Sequence, residues 1–208
     1  EQRARQIRKK VNLRRTADEV TAKPFKWMKF QNDSLTPKSV LAIAPTGSGK
    51  TEATLLWASQ RPPGGKIIYC LPTRVTSNAI FDRLEEVFPN RKEDSIIVDG
   101  KTIKARRVAL VHGSAKHYRV LRKEETEEGK VRSREDDWSE QDYLQDKSFF
   151  RDVSVCTIDQ LLTTGFNLRH WQLKSLHLNN ASVIIDEIHM FEPYTMGLIV
   201  ATIRYLRG

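Results

Sequence analysis

The chain has 208 residues, with 35 Lys or Arg against 26 Asp or Glu, which gives a formal net charge of +9 at pH 7. This length is enough for one domain with a sizeable core. There is no apolar run of membrane-spanning length and no secretory signal, so we expect a cytoplasmic protein without a membrane partner. The positive charge suits a polyanionic partner such as a nucleic acid, but it does not identify one. Because the first residue is Glu rather than Met, we expect the chain to be part of a longer protein.

The chain begins with a basic segment, residues 1–24, which we interpret as a linker or leading helix ahead of one domain formed by residues 25–208, with a nucleic-acid contact as the alternative for this segment. Within that domain, apolar runs typical of buried strands alternate with helix-like segments. The apolar runs lie at 39–44, 66–71, 108–111, 153–156 and 181–186, and the helix-like segments at 51–59, 74–87, 158–166 and 194–206. This alternation predicts an α/β fold, in which a central and mostly parallel sheet is covered by helices on both faces.

Two segments interrupt the alternation. Residues 96–104 contain Asp99-Gly100 between short apolar runs, which predicts a hairpin. Residues 116–148 are dominated by charge and cannot bury much apolar surface. We expect this second segment to be a mobile insertion on the surface.

The cysteines and most of the histidines do not indicate a metal site. Cys70 and Cys156 are far apart in the sequence, and each lies in an apolar run, so we interpret them as buried structural thiols in a reducing compartment. Four histidines lack the Cys or carboxylate spacing typical of metal ligands. We predict ordinary structural or surface roles for these four, which are His112, His117, His170 and His177.

The first apolar run leads into the sequence APTGSGKT at residues 44–51, and a helix-like segment follows. This order of strand, glycine-rich loop and helix is typical of a phosphate-binding loop. Gly47 and Gly49 allow a tight turn whose N–H groups face an anion, and the dipole of the following helix points to the same place. Lys50 can reach the β- and γ-phosphates, and the Thr51 hydroxyl can bind Mg²⁺. The alternative is a Gly/Ser turn that happens to precede a helix. We predict a nucleoside triphosphate site formed by Pro45, Thr46, Gly47, Ser48, Gly49, Lys50 and Thr51.

A second motif, the acidic sequence VIIDEIH at residues 183–189, favours hydrolysis of that nucleotide. A strand that ends in two carboxylates places both at the carboxyl edge of a parallel sheet. We predict that Asp186 binds Mg²⁺ through water and that Glu187 polarises the water that attacks the γ-phosphate of ATP. An acidic strand end without catalytic function is the alternative for this motif on its own.

Taken together, APTGSGKT and Asp186-Glu187-Ile188-His189 resemble motifs I and II of superfamily 2 helicases. Leu71-Pro72-Thr73-Arg74 resembles motif Ia, and Thr157-Ile158-Asp159-Gln160 resembles the next motif that contacts the nucleic-acid backbone. The resemblance implies a RecA-like P-loop NTPase fold, adenine recognition by Gln31, and a role for His189 in coupling the nucleotide site to the nucleic-acid motifs. A surface histidine is the alternative for His189. The residues that the resemblance assigns to nucleic-acid binding are Pro72, Thr73, Arg74, Thr157, Asp159 and Gln160.

Within that superfamily, the chain is similar to the CRISPR-associated effector helicases of type I systems. The shared text lies at residues 44–53, 71–84, 111–114, 157–162 and 184–194, and Glu192 stands where that family more often has Asp. The resemblance implies an ATP-dependent translocase on single-stranded DNA in CRISPR antiviral interference. It also implies two kinds of partner, an RNA-guided surveillance complex and a nuclease domain.

The resemblance further implies parts that this sequence does not contain, namely the His-Asp nuclease domain, the Ser-Ala-Thr motif and a second RecA-like domain. An arginine finger from that second domain can contribute about 10³–10⁵ in rate. We therefore expect the isolated chain to bind ATP better than it hydrolyses it. Two alternatives stay open, which are another superfamily 2 helicase acting on RNA or DNA, and a nucleotide- or nucleic-acid-binding module without turnover.

Overall fold

The computed structural model describes residues 28–45, 47–60, 65–90, 96–98, 101–103, 106–119, 140–168 and 170–207. The basic segment 1–24 and the centre of the charged insertion lie outside these residues. The chain divides into two compact units, Glu1–Gly65 and Lys66–Gly208. None of the helices in the described ranges is long and apolar enough to cross a bilayer.

The first unit contains two helices, α1 (Lys29–Asp33) and α2 (Lys50–Ala58), which pack against each other. Ser34, just after α1, donates a hydrogen bond of 3.0 Å from its hydroxyl to the carbonyl oxygen of Ala53 in α2. The Trp57 indole donates to the carbonyl oxygen of Lys38 at 2.7 Å. These two contacts attach the segment that precedes the glycine-rich loop to helix α2, which follows the loop.

The predicted strand at residues 39–44 is wrong. This segment joins no ladder with any residue that the structure describes, and Leu41 and Ile43 are 75% and 92% exposed. An apolar run becomes a parallel strand only where neighbouring strands supply its hydrogen bonds, and a local pattern cannot show whether they do.

The second unit is built on a parallel sheet of four strands in the order β4-β5-β1-β6. Its strands are β1 (Ile67–Leu71), β4 (Val108–Val111), β5 (Val153–Thr157) and β6 (Ser182–Ile185). The predicted hairpin is also present as the antiparallel pair β2 (Ile96–Val98) and β3 (Lys101–Ile103). The α/β fold class with a parallel sheet is therefore confirmed.

Helices cover the sheet, whose strands β1, β4 and β5 are buried at every residue. The helices of this unit are α3 (Arg74–Val87), α4 (Glu140–Lys147), α5 (Ile158–Gly165), α6 (Trp171–Leu178) and α7 (Pro193–Arg207). Alternate residues of β1, such as Ile68 and Cys70, face a core shared with α5, α6 and α7. Helix α3 packs across β4, β5 and β1 but contributes no side chain to that core, so it covers the opposite face.

The two cysteines confirm the prediction of buried structural thiols. Cys70 and Cys156 are free, fully buried and paired in register on β1 and β5. Their Sγ atoms lie 3.6 Å apart. The hydrogen bond with Cys156, together with burial, raises the pKa of the Cys70 thiol well above its usual value. A thiol with a raised pKa stays protonated and unreactive at neutral pH.

The described ends of the charged insertion are helical. Residues 115–119 form one helical turn, and α4 ends at Lys147. Asp146 in α4 is buried and accepts a hydrogen bond of 2.9 Å from Nε of the buried Arg151. The carboxyl end of the insertion is therefore anchored in the core by an ion pair.

Candidate nucleotide and nucleic-acid sites

The glycine-rich loop has the backbone that its sequence predicts. Gly47 and Gly49 have φ values of 77° and 84°, in the left-handed region that favours glycine. Gly49 caps the amino end of α2, which begins at Lys50. Ser48 donates to the carbonyl oxygen of Pro45 from both its amide, at 3.3 Å, and its hydroxyl, at 2.6 Å. Thr46, the remaining member of the predicted site between these residues, lies outside the described residues.

Lys50 and Thr51 occupy the first turn of α2, directly after the loop. The Lys50 ammonium donates to the carbonyl oxygen of Ala44 at 3.1 Å and lies 3.5 Å from that of Pro45. The ammonium is thus held over the loop that contains Gly47 and Gly49. A positive charge at a helix amino end, next to a glycine-rich turn, suits the binding of phosphate groups.

Gln31 is brought to the same loop. Its side chain is fully buried, and Nε2 donates to the carbonyl oxygen of Gly49 at 3.2 Å. Its Oε1 accepts from the Met28 amide at 2.9 Å. Gln31 therefore links α1 to the loop, and its predicted contact with adenine stays a prediction.

In the second unit, the carboxylate of Asp186 is held on both oxygens. Its backbone amide donates to the carbonyl oxygen of Cys70 at 3.0 Å, which extends the pairing of β6 with β1 by one residue. Oδ2 accepts a hydrogen bond of 2.7 Å from the Tyr69 hydroxyl, and Oδ1 accepts from the Glu187 amide at 2.8 Å. These bonds fix the direction in which the carboxylate points.

Glu187 has a left-handed backbone, with φ of 51°. A non-glycine residue in this region carries a cost of roughly 1–2 kcal/mol, so its position is set by the surroundings and not by local preference. Its Oε2 lies 3.5 Å from Nδ1 of His189, whose side chain is 74% exposed. The predicted pair Glu187 and His189 is therefore brought together at the surface after β6.

Thr51 in the first unit and Asp186 in the second unit each carry an oxygen of the kind that Mg²⁺ prefers, a hydroxyl and a carboxylate. Among the described residues, no group of three or more His, Cys, Asp or Glu side chains could hold a metal ion. A cage made only of protein side chains is therefore not found there, and Mg²⁺ rarely uses one.

The two predicted nucleic-acid motifs meet at one edge of the sheet. Leu71 and Thr157, the last residues of β1 and β5, are paired in register, so the segments that follow them start side by side. Thr73 caps α3, and its hydroxyl oxygen accepts from the Thr76 amide at 3.2 Å. Arg74, the first residue of α3, is exposed. Pro72 lies between the end of β1 and this cap.

The second motif is partly internal. Thr157 is 5% exposed, and its hydroxyl donates to Oδ2 of Asp159 at 3.0 Å. The carbonyl oxygen of Gln160 accepts from the ammonium of Lys174 in α6 at 2.8 Å. Asp159 is exposed and Gln160 is partly buried, so these two are the accessible members of the motif.

Sequence reasoning missed Lys174. This side chain is 3% exposed, and it also donates to the Thr163 hydroxyl at 2.7 Å. Burial is the main cause that lowers the pKa of Lys174 to about 8. A single Lys in a segment without clear periodicity gives no sequence signal that its ammonium will be buried and hydrogen-bonded.

His112 was predicted to have an ordinary structural role, and its burial agrees with that prediction. Its position next to the nucleic-acid motifs was not predicted. His112 follows β4 and is 3% exposed. Its Nδ1 accepts from the Ser114 amide at 3.2 Å, so Nε2–H donates to Oδ1 of Asn78 at 2.8 Å. Burial lowers the pKa of His112, and the neighbouring charges of Arg74 and Lys147 lower it further. The ring is therefore held in its neutral form between β4 and α3.

Comparisons with known proteins agree with this geometry. A family model described as DEAD/DEAH box helicase matches residues 28–206. The putative CRISPR-associated nuclease/helicase Cas3 of Methanocaldococcus jannaschii is 31% identical over 195 residues, which cover 89% of this chain and 24% of that protein. The CRISPR-associated endonuclease/helicase Cas3 of Escherichia coli K12 is 26% identical over 175 residues, which cover 81% of this chain and 18% of that protein.

Solved structures give the same result. The crystal structure of T. fusca Cas3-AMPPNP superposes with a TM-score of 0.59 at 26% identity, over 86% of this chain and 18% of that one. The crystal structure of T. fusca Cas3 gives a TM-score of 0.58 at 25% identity over the same shares. The chain thus spans a quarter or less of the length of these relatives. It is a RecA-like α/β domain that belongs to the DEAD/DEAH box helicase family, with Cas3 proteins as its homologues.

Proposed function

We propose that this chain is the ATP-binding RecA-like domain of an ATP-dependent translocase or helicase on single-stranded DNA, acting in CRISPR antiviral interference in the cytoplasm. The observation that carries the proposal is the position of β1. Tyr69 of β1 contacts the carboxylate of Asp186, the proposed Mg²⁺ ligand, and Pro72-Thr73-Arg74 follows directly after the end of the same strand. Strand β1 therefore connects the Asp186 carboxylate with the proposed nucleic-acid contacts. A motor needs such a connection between its nucleotide site and its nucleic-acid site.

The nucleotide roles follow from the chemistry of each side chain. Lys50 binds the β- and γ-phosphates, the loop amides around Gly47 and Gly49 bind the same groups, and Gln31 recognises adenine. Thr51 and Asp186 would hold Mg²⁺, which neutralises phosphate charge when it is bound. Glu187 polarises the attacking water. His189, next to it, couples the nucleotide site to the nucleic-acid motifs. Support for a nucleotide comes from the similar crystal structure of T. fusca Cas3-AMPPNP.

The nucleic-acid roles are those of a protein that grips a backbone without reading bases. Arg74 and Thr73 would bind phosphates, which gives affinity that does not depend on sequence. Asp159 and Gln160 would contact the adjacent nucleotides from the end of β5. Such contacts suit movement along a single strand.

The chain matches only a part of its relatives, so we propose further partners for it. A second RecA-like domain would supply the arginine finger, in cis or in trans. A nuclease domain and an RNA-guided surveillance complex would supply cleavage and recruitment. The isolated chain would then bind ATP and hydrolyse it weakly.

Nucleic-acid-stimulated ATP hydrolysis tests the proposal. The rate is measured for the chain alone and for the chain joined to a second RecA-like domain, with single-stranded DNA, single-stranded RNA or no nucleic acid. We expect DNA to stimulate the joined form more than RNA, and Glu187→Gln to abolish the stimulated rate while nucleotide binding remains. Stimulation by RNA alone would indicate an RNA helicase, and no stimulation by either would indicate a module without turnover. Either result contradicts the proposal.

A further inference from the structure

Gly113, in the loop after β4, has an unusual environment for a glycine. Its φ is not in the left-handed region, so its backbone conformation is open to any residue. An ideal Cβ built on Gly113 would lie 3.3 Å from Nη2 and 3.7 Å from Cζ of Arg74, and among the described residues, its two chain neighbours aside, it would meet no other heavy atom within 4 Å. What a side chain at this position would displace is therefore the guanidinium of Arg74.

We propose that Gly113, in the loop His112-Gly113-Ser114, is a positioning residue for the guanidinium of Arg74. The proposal rests on the proposed function, because it assigns Arg74 a nucleic-acid phosphate as its ligand. Because Gly113 has no side chain, the guanidinium of Arg74 can lie next to the loop. An arginine held in this way loses less rotamer freedom when it binds a phosphate than one that extends freely into water.

The position of the loop in the sheet supports this role. Val111, the last residue of β4, pairs with Cys156 of β5. The loop therefore leaves the sheet at the same edge as Thr157 and, one strand further, Pro72. Three neighbouring strands thus end in segments that carry Arg74, Gly113 and Asp159.

A buried histidine fixes the loop relative to the helix that bears Arg74. His112 bonds to the Ser114 amide on one side and to Asn78 of α3 on the other. Arg74 and Asn78 are four residues apart on α3, so they lie on the same face, one turn apart. One face of α3 thus meets the loop twice, at Asn78 through the histidine and at Arg74 through the glycine. The distance between Gly113 and the guanidinium is set by this clamp.

A purely structural need for glycine predicts a different environment. A turn that requires glycine would show a positive φ, as Gly47 and Gly49 do. A close approach of backbone would place carbonyl or amide atoms next to the added Cβ, whereas the atoms found are at the flexible end of a side chain. A small side chain at residue 113 should therefore leave the fold intact and move Arg74.

The test compares Gly113→Val and Gly113→Ala with Arg74→Ala and with the double variant Gly113→Val/Arg74→Ala. Gly197→Val and Gly197→Ala are the matched controls, because a Cβ on Gly197 would meet no atom of the part of the chain that the structure describes within 4 Å, apart from its chain neighbours and the backbone of its own helix. Binding of fluorescein-labelled dT20 to the chain is followed by fluorescence anisotropy at NaCl concentrations from about 25 to 200 mM, a range over which counterion release is measurable. The slope of log K against log[salt] is then determined. Thermal unfolding of each variant shows that it is folded.

We expect Gly113→Val to weaken binding by about the same factor as Arg74→Ala, roughly 3- to 10-fold at low salt, and to reduce the salt slope by about 0.7, the value for one phosphate contact on a single strand. The double variant should bind no more weakly than Arg74→Ala, and both Gly197 variants should bind like the wild type. Gly113→Ala, which requires only a small shift of the guanidinium, should give a smaller loss in the same direction. This variant carries the test if Gly113→Val does not fold.

An unchanged salt slope in both Gly113 variants, together with a reduced slope in Arg74→Ala, would overturn the inference and leave the proposed function standing. Additive losses in the double variant would also overturn it, because they would mean that Gly113 acts independently of Arg74. If the wild type does not bind dT20, or if Arg74→Ala binds like the wild type, the nucleic-acid role of Arg74 fails and the inference fails with it.

Discussion

At the scale of single residues, the orientation of the Asp186 carboxylate depends on a hydrogen bond from outside its own motif. Asp186 was predictable from the acidic end of an apolar run, but Tyr69, which bonds to its Oδ2, was not. The two residues are 117 positions apart and meet because β1 and β6 are neighbours in the sheet. A local pattern shows which residues could be catalytic, whereas their partners depend on strand order, which the pattern does not contain.

Tyr69→Phe tests this contact. The ring stays in place, but Oδ2 of Asp186 loses its donor, so we expect the free energy of unfolding to fall by about 0.5–1.5 kcal/mol. The Mg²⁺ concentration for half-maximal binding of a fluorescent ATP analogue should rise, by about 10-fold, because Asp186 is less well oriented. Urea unfolding and nucleotide titrations at several Mg²⁺ concentrations measure the two effects. An unchanged Mg²⁺ dependence would show that Tyr69 supports the fold only.

At the scale of elements, the sequence predicted the sheet well and its surroundings less well. The strands at 66–71, 108–111, 153–156 and 181–186 were predictable because a parallel strand buried on both faces is a continuous apolar run. The run at 39–44 looks the same and forms no ladder with the described residues. Helix α6 was missed because its apolar residues are not confined to one face, as Leu173 and Leu176 are 40% and 64% exposed.

Helix α3 offers a test of the structural role of Thr73. The Thr73 hydroxyl oxygen caps the helix by accepting from the Thr76 amide. Thr73→Ala should lower the free energy of unfolding by about 1 kcal/mol, and Thr73→Ser, which keeps the hydroxyl, should lower it by much less. Urea unfolding followed by circular dichroism gives both values. Equal losses in the two variants would assign the effect to the methyl group and not to the cap.

The free energy of unfolding should depend on pH through Lys174, which lies where α6 contacts α5. Burial lowers the pKa of this ammonium to about 8 in the folded chain, against an ordinary value of 10.5. Between these pH values the unfolded chain binds more protons than the folded one, so the Lys174 contribution to stability rises with pH and is complete above the unfolded pKa. We expect the difference in unfolding free energy between wild type and Lys174→Met to grow in favour of the wild type from pH 8 to 10.5, by more than about 1 kcal/mol.

Urea unfolding of both proteins across this range measures that difference. Other groups whose pKa is shifted by folding, such as Lys66, are present in both proteins and largely cancel in the difference. A difference that stays constant with pH would contradict the buried position of the Lys174 ammonium.

At the scale of the whole molecule, the edge of one parallel sheet carries most of the proposed chemistry. The segments that follow strands β4, β5, β1 and β6 carry, in that order, Gly113, Asp159, Pro72 and Asp186. This arrangement explains why motifs spread over more than half of the sequence act in one domain, since the carboxyl ends of parallel strands meet. It was predictable in outline from the alternation of strands and helices. The order of the strands, and so the neighbours of each motif, required the structure.

The central claim is that the glycine-rich loop binds ATP through Lys50, and titration with a fluorescent ATP analogue tests it most directly. Lys50→Ala removes the ammonium that lies over the loop, and charge-assisted hydrogen bonds to phosphate of about 1.5–3 kcal/mol predict a loss of affinity of roughly 10- to 100-fold. Lys38→Ala, an exposed lysine in the same unit, controls for the loss of one positive charge and should bind like the wild type. Equal affinity of wild type and Lys50→Ala would contradict the account.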